Sequence, residues 1–359
     1  MTTFVESSIS PLFGLWQPLP HLKHLYYGSS CVQKHLFATL PSHDSKVFIV
    51  TGNSIATKTP LLQQVETLLG DHHAGTFTKI RQHAPMADID QATEIIAKNP
   101  LVDTILSLGG GSPIDSAKTI SFRMHERNGK FLTHLTIPTT LSAAECTIGG
   151  GYTKADGVKT SVMTPEIGVT AVFYDPGYAK YTPLKLWLST GMRAMDHAVE
   201  SQYQPYASEM PWRAMSSWAV STFFECLPIA KASHPSDEDV ITRLLLAAFA
   251  SLGFRDGETS CLTLGPVVQL KARAKQEDAK QIARLLPWIG GTSSGDDLKD
   301  ALEVGCKISA LVESLGLHQS LTERGIGRDQ IPIVVERATG GLKEGSLYDI
   351  VTLLVEGLY

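Results

Sequence analysis

An open parallel α/β sheet followed by an all-helical half is the architecture this 359-residue sequence predicts. Three observations carry that expectation. Short apolar β runs alternate with helical stretches between residues 46 and 174, which is how a parallel sheet covered by helices is built. The triplet Gly109-Gly110-Gly111, followed by Ser112, stands between a strand-like run and a helix-forming one. Beyond about residue 178 the glycine turns and β-branched runs thin out and long helical patterns take over. The expected division is therefore an α/β domain over 1–180 and an all-helical domain over 181–359.

Taken in order, the first 24 residues are rich in Pro and His and read as an irregular leader. Leu25-Tyr26-Tyr27-Gly28 precedes a helical stretch over 30–40. The run 46–51 is a short β strand closed by Gly52-Asn53, with a helix expected over 59–69. A strand over 76–80 and a helix over 86–99 follow, the latter from the spacing of Ile89, Ala92, Ile95 and Ile96. Strand 102–108 runs into the glycine turn and a helix over 114–121. Strand 131–138 leads to Thr139-Thr140, and Gly149-Gly150-Gly151 with Asp156-Gly157 reads as turns around a hairpin. A last β run covers 169–174. Helices are then expected over 184–204, 209–229, 237–252, 267–286, 296–315 and 346–357.

Composition narrows the function classes. A net charge of −5, with no run of Lys or Arg, argues against a nucleic-acid partner. No stretch of about 18 uninterrupted apolar residues suggests a membrane helix. Residues 1–10 carry no signal-peptide pattern. The five cysteines are scattered and show no Cys-x-x-Cys spacing, which fits reduced thiols in a cytoplasmic protein.

The glycine turn is the chemical centre. Glycines there can take positive φ and let backbone N–H groups close on an anion, and the helix start adds a partial positive charge. A tight strand–helix turn needing no ligand explains the same residues. The hydroxyls of Thr139, Thr140 and Ser142, at the end of the next strand, can bond phosphate and ribose or simply cap the following short helix.

Four ordered motifs then resemble one family. They are Gly109-Gly-Gly-Ser-x-x-Asp115-x-x-Lys118, Pro138-Thr-Thr140 with Ser142 and Glu145, Tyr174-Asp-Pro176, and Gly191-Met-x-Ala-x-x-His197-Ala-Val-Glu200. In order and spacing they resemble the iron-containing (group III) alcohol dehydrogenases, and the maleylacetate reductase branch in particular. The resemblance implies a Rossmann-like nucleotide domain, a helical substrate domain (the dehydroquinate synthase-like fold) and an active site in the cleft between them. It also implies NADH or NADPH, with pyrophosphate against Gly110, Gly111 and Ser112, with Gly109 and Asp115 in the same motif. Thr139, Thr140 and Ser142 would line the cofactor, and Lys159 would stand near it. Gly52-Asn53 lies where many relatives carry an acidic residue, so the 2′-phosphate of NADPH would not be repelled. Many members are dimers, which leaves a homodimer open.

The sequence departs from the family at the metal. Metal-dependent members use an Asp and three His. His197 matches one ligand, but the Asp position holds Arg193, which cannot lose its proton. The region 254–270, where further histidines belong, holds none; downstream of His197 only His234, in a polar loop expected to be exposed, and His318 remain. No metal is therefore expected. Arg193 would anchor an anionic or carbonyl-bearing substrate and His197 would donate a proton. Alternatively, Arg193 pairs with Asp196 or Glu200 and His197 is a satisfied buried histidine. The expected function is a metal-independent NAD(P)H-dependent reductase of a small carbonyl or enol-type, maleylacetate-like acid, with Arg255, Lys271 and Arg273 as further anchors. The alternative is a non-redox isomerase, cyclase or dehydratase of a polyketide-like or phenolic substrate, in secondary metabolism. It would use His197, Glu258 or Tyr152, with Tyr203 and Tyr206 stacking the ligand. A binding protein without turnover is the third reading.

Overall fold

A computed structural model describes residues 21–205, 207–251 and 262–359. Six strands form one sheet: β1 (His24–Tyr27), β2 (Lys46–Thr51), β3 (His73–Phe77), β4 (Val102–Gly109), β5 (Thr133–Pro138) and β8 (Ala171–Tyr174). All their pairings are parallel, in the order β1-β8-β5-β4-β2-β3. The central strands read as near-continuous apolar runs because both faces are covered. Alternate residues feed two cores. Val47, Ile49, Leu106 and Leu108 pack with helices α1 (Cys31–His35) and α3 (Leu61–Leu69) on one face. Phe48, Val50 and Ile105 pack with α4 (Met86–Ala97) and α5 (Gly111–Asn128) on the other. Helix α2 (Asn53–Lys58) follows β2 directly.

The order of the strands points to where a ligand crevice would lie. From β2 the chain steps outward to β3, then returns to β4 on the opposite side of β2. The strand order reverses there, and ligands of open α/β sheets lie beyond the C-terminal strand ends at such a point. Gly52 and the Gly109–Ser112 turn both fall at it. An antiparallel hairpin of β6 (Gly149–Thr153) and β7 (Lys159–Met163) lies against α5.

Helices fill the rest: α6 (Pro176–Ala179), α7 (Leu184–Tyr203), α8 (Ala214–Ser233), α9 (Glu238–Ala250), α10 (Leu264–Ala274), α11 (Gln276–Ala283), α12 (Asp297–Leu315), α13 (Ile331–Ala338) and α14 (Ser346–Glu356). The division at 180/181 lies in the link between α6 and α7. The largest apolar cluster crosses it, joining Leu141, Val172 and Tyr174 to α7, α8 and α9. Among the described residues no helix is long and apolar enough to cross a membrane.

Several elements differ from the sequence expectation. The helix expected over 30–40 shrinks to α1, and the strand expected over 76–80 is β3, three residues earlier. The helix expected over 267–286 is two helices, broken where Lys275 is extended (φ −143°). Helix α13 was not foreseen; its β-branched run Ile331-Pro-Ile-Val-Val masks a helix whose signal is Pro332 in the first turn. His234 is not a solvent-exposed loop residue. It stacks on Trp187 at 5.5 Å, and its Nε2 meets the Thr182 carbonyl at 2.8 Å. The leader over 1–20 lies outside the described residues.

Candidate functional site

The sheet's central strand delivers the glycine turn. β4 ends at Gly109, whose φ of +140° is open to glycine and closed to nearly every other residue. Gly110 then precedes α5 as its N-cap without any side-chain cap, and since Pro113 has no N–H, the Gly111 and Ser112 N–H groups are the ones left for a ligand. The loop after β5 presses on this turn. A Cβ on Gly110 would stand 2.9 Å from both Cγ2 and Oγ1 of Thr140, and one on Gly111 would stand 3.2 Å from Ser142 Oγ. Thr140 Oγ1 donates to Ser142 Oγ at 3.2 Å. The structure thus brings together Gly109, Gly110, Gly111, Ser112, Thr140 and Ser142. An uncapped helix start, three residues without Cβ and two hydroxyls suit a pyrophosphate.

The remaining expected cofactor residues are placed less uniformly. Thr139 is buried and serves as a tie: its N–H donates to the Gly109 carbonyl at 2.9 Å, and its own carbonyl accepts from Thr182 Oγ1 at 2.5 Å. Gly52 lies at the end of β2, tight against the Ile80 carbonyl (3.1 Å from a Cβ), and Asn53 opens α2. Lys159 sits exposed at the start of β7, across from Thr153. Thr153 Oγ1 donates to the His83 carbonyl, and the His83 N–H donates to Ser112 Oγ at 3.0 Å. The hairpin therefore borders the turn through two hydrogen bonds.

Behind the turn lies a polar cluster whose roles the sequence did not reveal. Lys118 is fully buried, and its ammonium donates to the carbonyls of Ala144, Thr147 and Gly149 and to Thr147 Oγ1, at 2.6 to 3.0 Å. Burial holds its pKa below the usual lysine range. Asp115, one turn earlier on α5, accepts the Gly151 N–H. Burial pushes its carboxyl up to about 7, against the opposing pull of Lys118 and Arg193. Glu145 is also raised by burial, although the Tyr174 hydroxyl donates to it at 2.6 Å. The same desolvation lifts the Tyr174 phenol. Asp175 is structural, accepting the Gly177 N–H at 2.9 Å and the Val32 N–H at 3.2 Å.

Helix α7 carries the two residues expected to act on substrate, Arg193 and His197. Arg193 is exposed and makes no ion pair among the described residues; its charge acts on Asp115. The alternative pairing with Asp196 or Glu200 is not what the structure has. Glu200 feels Lys271 instead, and that ammonium lies over the Tyr203 ring at 5.8 Å. His197 is buried one turn beyond Arg193. Of the other residues considered, Arg273 and His318 are exposed, and Tyr152 packs under the Arg123 guanidinium at 5.9 Å. Tyr206, Arg255 and Glu258 lie outside the described residues.

Comparison with known proteins bears on these features. Residues 23–176 match the family described as iron-containing alcohol dehydrogenase. Maleylacetate reductase of Sphingobium indicum is 29% identical over 231 residues, covering 62% of this chain and 59% of that protein. The chain thus spans about three-fifths of that relative's length. The structure of maleylacetate reductase from Agrobacterium tumefaciens superposes with a TM-score of 0.73 at 20% identity, over 98% of this chain and 99% of that one. A sulfoacetaldehyde reductase from Bifidobacterium kashiwanohense, solved with NAD+, superposes with a TM-score of 0.79 at 19% identity, over 96% and 98%.

The expectation that no metal is needed is corrected by the family match, because iron is part of that family's description. Counting histidines tested only one ligand set, whereas carboxylates and thiolates also bind metals, and 252–261 carries Asp256, Glu258 and Cys261. Among the described residues no group of three or more His, Cys, Asp or Glu fits a metal ion. The four ordered motifs, the parallel sheet with its glycine turn and these matches agree: over residues 23–176 the chain matches the iron-containing alcohol dehydrogenase family, and it is similar to the maleylacetate reductases.

Proposed function

We propose that this chain is an NAD(P)H-dependent oxidoreductase acting on a small carbonyl or enol-type acid in the cleft between the glycine turn and α7. The observation that carries the reading is the uncapped start of α5 at the strand-order reversal, with Thr140 and Ser142 against Gly110 and Gly111. When bound, the nicotinamide supplies hydride. The chain's own residues do the rest. The first-turn N–H groups and the Thr140 and Ser142 hydroxyls hold the pyrophosphate, with Lys159 on the bordering hairpin. Arg193, exposed on the facing helix, grips a substrate carboxylate or the developing oxyanion with its planar donors. The His197 imidazole, one turn on, delivers the proton to the reduced substrate. Names of relatives favour an anionic carbonyl substrate, since maleylacetate and sulfoacetaldehyde both carry an acid group.

Titration of the wild type and Gly110→Ala with NADH and with NADPH, followed by nicotinamide fluorescence, tests this. The wild type should saturate. The alanine methyl forces Thr140 and the turn apart and should weaken binding at least about tenfold. Turnover with 2-oxo and enol acids, measured with ferrous iron supplied and after chelation, reads the metal requirement directly. A wild type that binds neither nucleotide refutes the reading.

A further inference from the structure

Lys118 is the largest charged side chain fully inside the molecule among the described residues, and packing does not account for it. Its side chain has 0% exposure, so an apolar residue would fill the same space without desolvating an ammonium. Three N–H groups reach four oxygens: Ala144 O (2.6 Å), Thr147 O (2.7 Å), Thr147 Oγ1 (2.9 Å) and Gly149 O (3.0 Å). Three of them belong to the segment joining β5 to β6, and the fourth, Gly149 O, lies on the first residue of β6. That segment begins with Thr140 and Ser142, the residues pressed on the glycine turn, and passes through Ala143 at φ +55°, a conformation L residues rarely adopt. It ends where β6 lies flush on α5. There a Cβ on Gly150 would meet Thr119 Oγ1 at 2.8 Å and the Asp115 carbonyl and Lys118 Cβ at 3.0 Å.

From this geometry we infer that Lys118 is a positioning residue for the nucleotide: its buried ammonium gathers the 144–149 carbonyls and so sets where Thr140 and Ser142 meet the glycine turn. The inference rests on the proposed nucleotide site and names what holds that site in register. Lys118 sits at the seventh residue after Gly111, two turns along α5, with its ammonium spent on loop oxygens. It acts through the loop and touches no ligand itself. Thr147 is the hub on the loop side, since its hydroxyl also donates to the Ala144 and Gly149 carbonyls at 3.2 and 3.1 Å.

Two variants of the full chain test it. Lys118→Met keeps the volume and strips the charge. Thr147→Val keeps the shape and removes one acceptor, and it decides the matter if the methionine variant does not fold. Amide hydrogen exchange over 144–151 is read beside NADPH and NADH affinity, and KM for the nucleotide beside kcat. The expected result is faster exchange in that segment, a nucleotide Kd and KM raised about tenfold or more in Lys118→Met and about threefold in Thr147→Val, and kcat changed much less. Unchanged exchange in Lys118→Met overturns the clamp. Faster exchange with unchanged Kd overturns its link to the nucleotide. A wild type that binds no nucleotide while the variants still loosen the segment leaves Lys118 a clamp, and overturns both the positioning role and the proposed function.

Discussion

Asp115 shows how far one side chain's chemistry depends on partners distant in sequence. A carboxyl three residues from a lysine on a helix ordinarily titrates low, yet burial pushes Asp115 up to about 7 despite Lys118 and Arg193. The consequence for stability has a definite sign. Between the ordinary value of 3.8 and about 7 the folded state binds a proton that the unfolded state has released. Stability therefore falls as pH rises through that window. Glu145, raised in the same direction by burial, adds to the slope. Removing the titrating carboxyl in Asp115→Asn should flatten the part of the pH 4–7 dependence that Asp115 contributes, measured as urea midpoints; parallel wild-type and variant curves would contradict this. The sequence displayed Asp115 and Lys118 as two positions of one motif, which was enough to place both at the turn. It did not announce Lys118's work, because three of its four acceptors are backbone carbonyls, which no residue type advertises.

At the level of elements, the run Gly149-Gly150-Gly151 looked like turn chemistry and is a strand. Its glycines are there because β6 lies against α5 with no room for a side chain at its second position. Gly150→Ala meets backbone and buried side chain at 2.8 to 3.0 Å, whereas Gly149→Ala meets only Met163 Cε at 3.6 Å and the Val162 carbonyl at 3.7 Å, ordinary contact distances. The first substitution should destabilise by about 1–3 kcal/mol and the second by less than about 1 kcal/mol, as overpacking and open positions usually do. Denaturant unfolding of the pair separates the accounts, since a simple turn would tolerate both alike. Elements with strong local signals were legible: the two-sided apolar runs of β2, β4 and β5, and the long periodic patterns of α7 and α12. Elements decided by tertiary packing were not. Lys275 offers no breaker to announce the gap between α10 and α11, and both helices instead settle on α12.

Across the whole molecule, the two sides of the proposed site differ in how they are encoded. The proposed nucleotide side is local: one turn and one adjacent loop, both readable as short motifs. The substrate side is assembled from α7 and elements far from it in sequence, so Arg193 could be named but its surroundings could not. The structure shows that its exposed guanidinium is not spent on Asp196 or Glu200 and that its field reaches Asp115. A guanidinium that is exposed and makes no ion pair among the described residues should serve the substrate more than the nucleotide. Arg193→Ala should therefore raise KM for a carboxylate-bearing carbonyl substrate by roughly tenfold to a hundredfold, the worth of charge-assisted hydrogen bonds, while the NADPH Kd stays within about twofold. Equal losses for both ligands would mean that Arg193 acts through the shared cleft. Loss of nucleotide affinity alone would move Arg193 to the phosphate side and leave the acid group of the substrate to the other cations of the helical half.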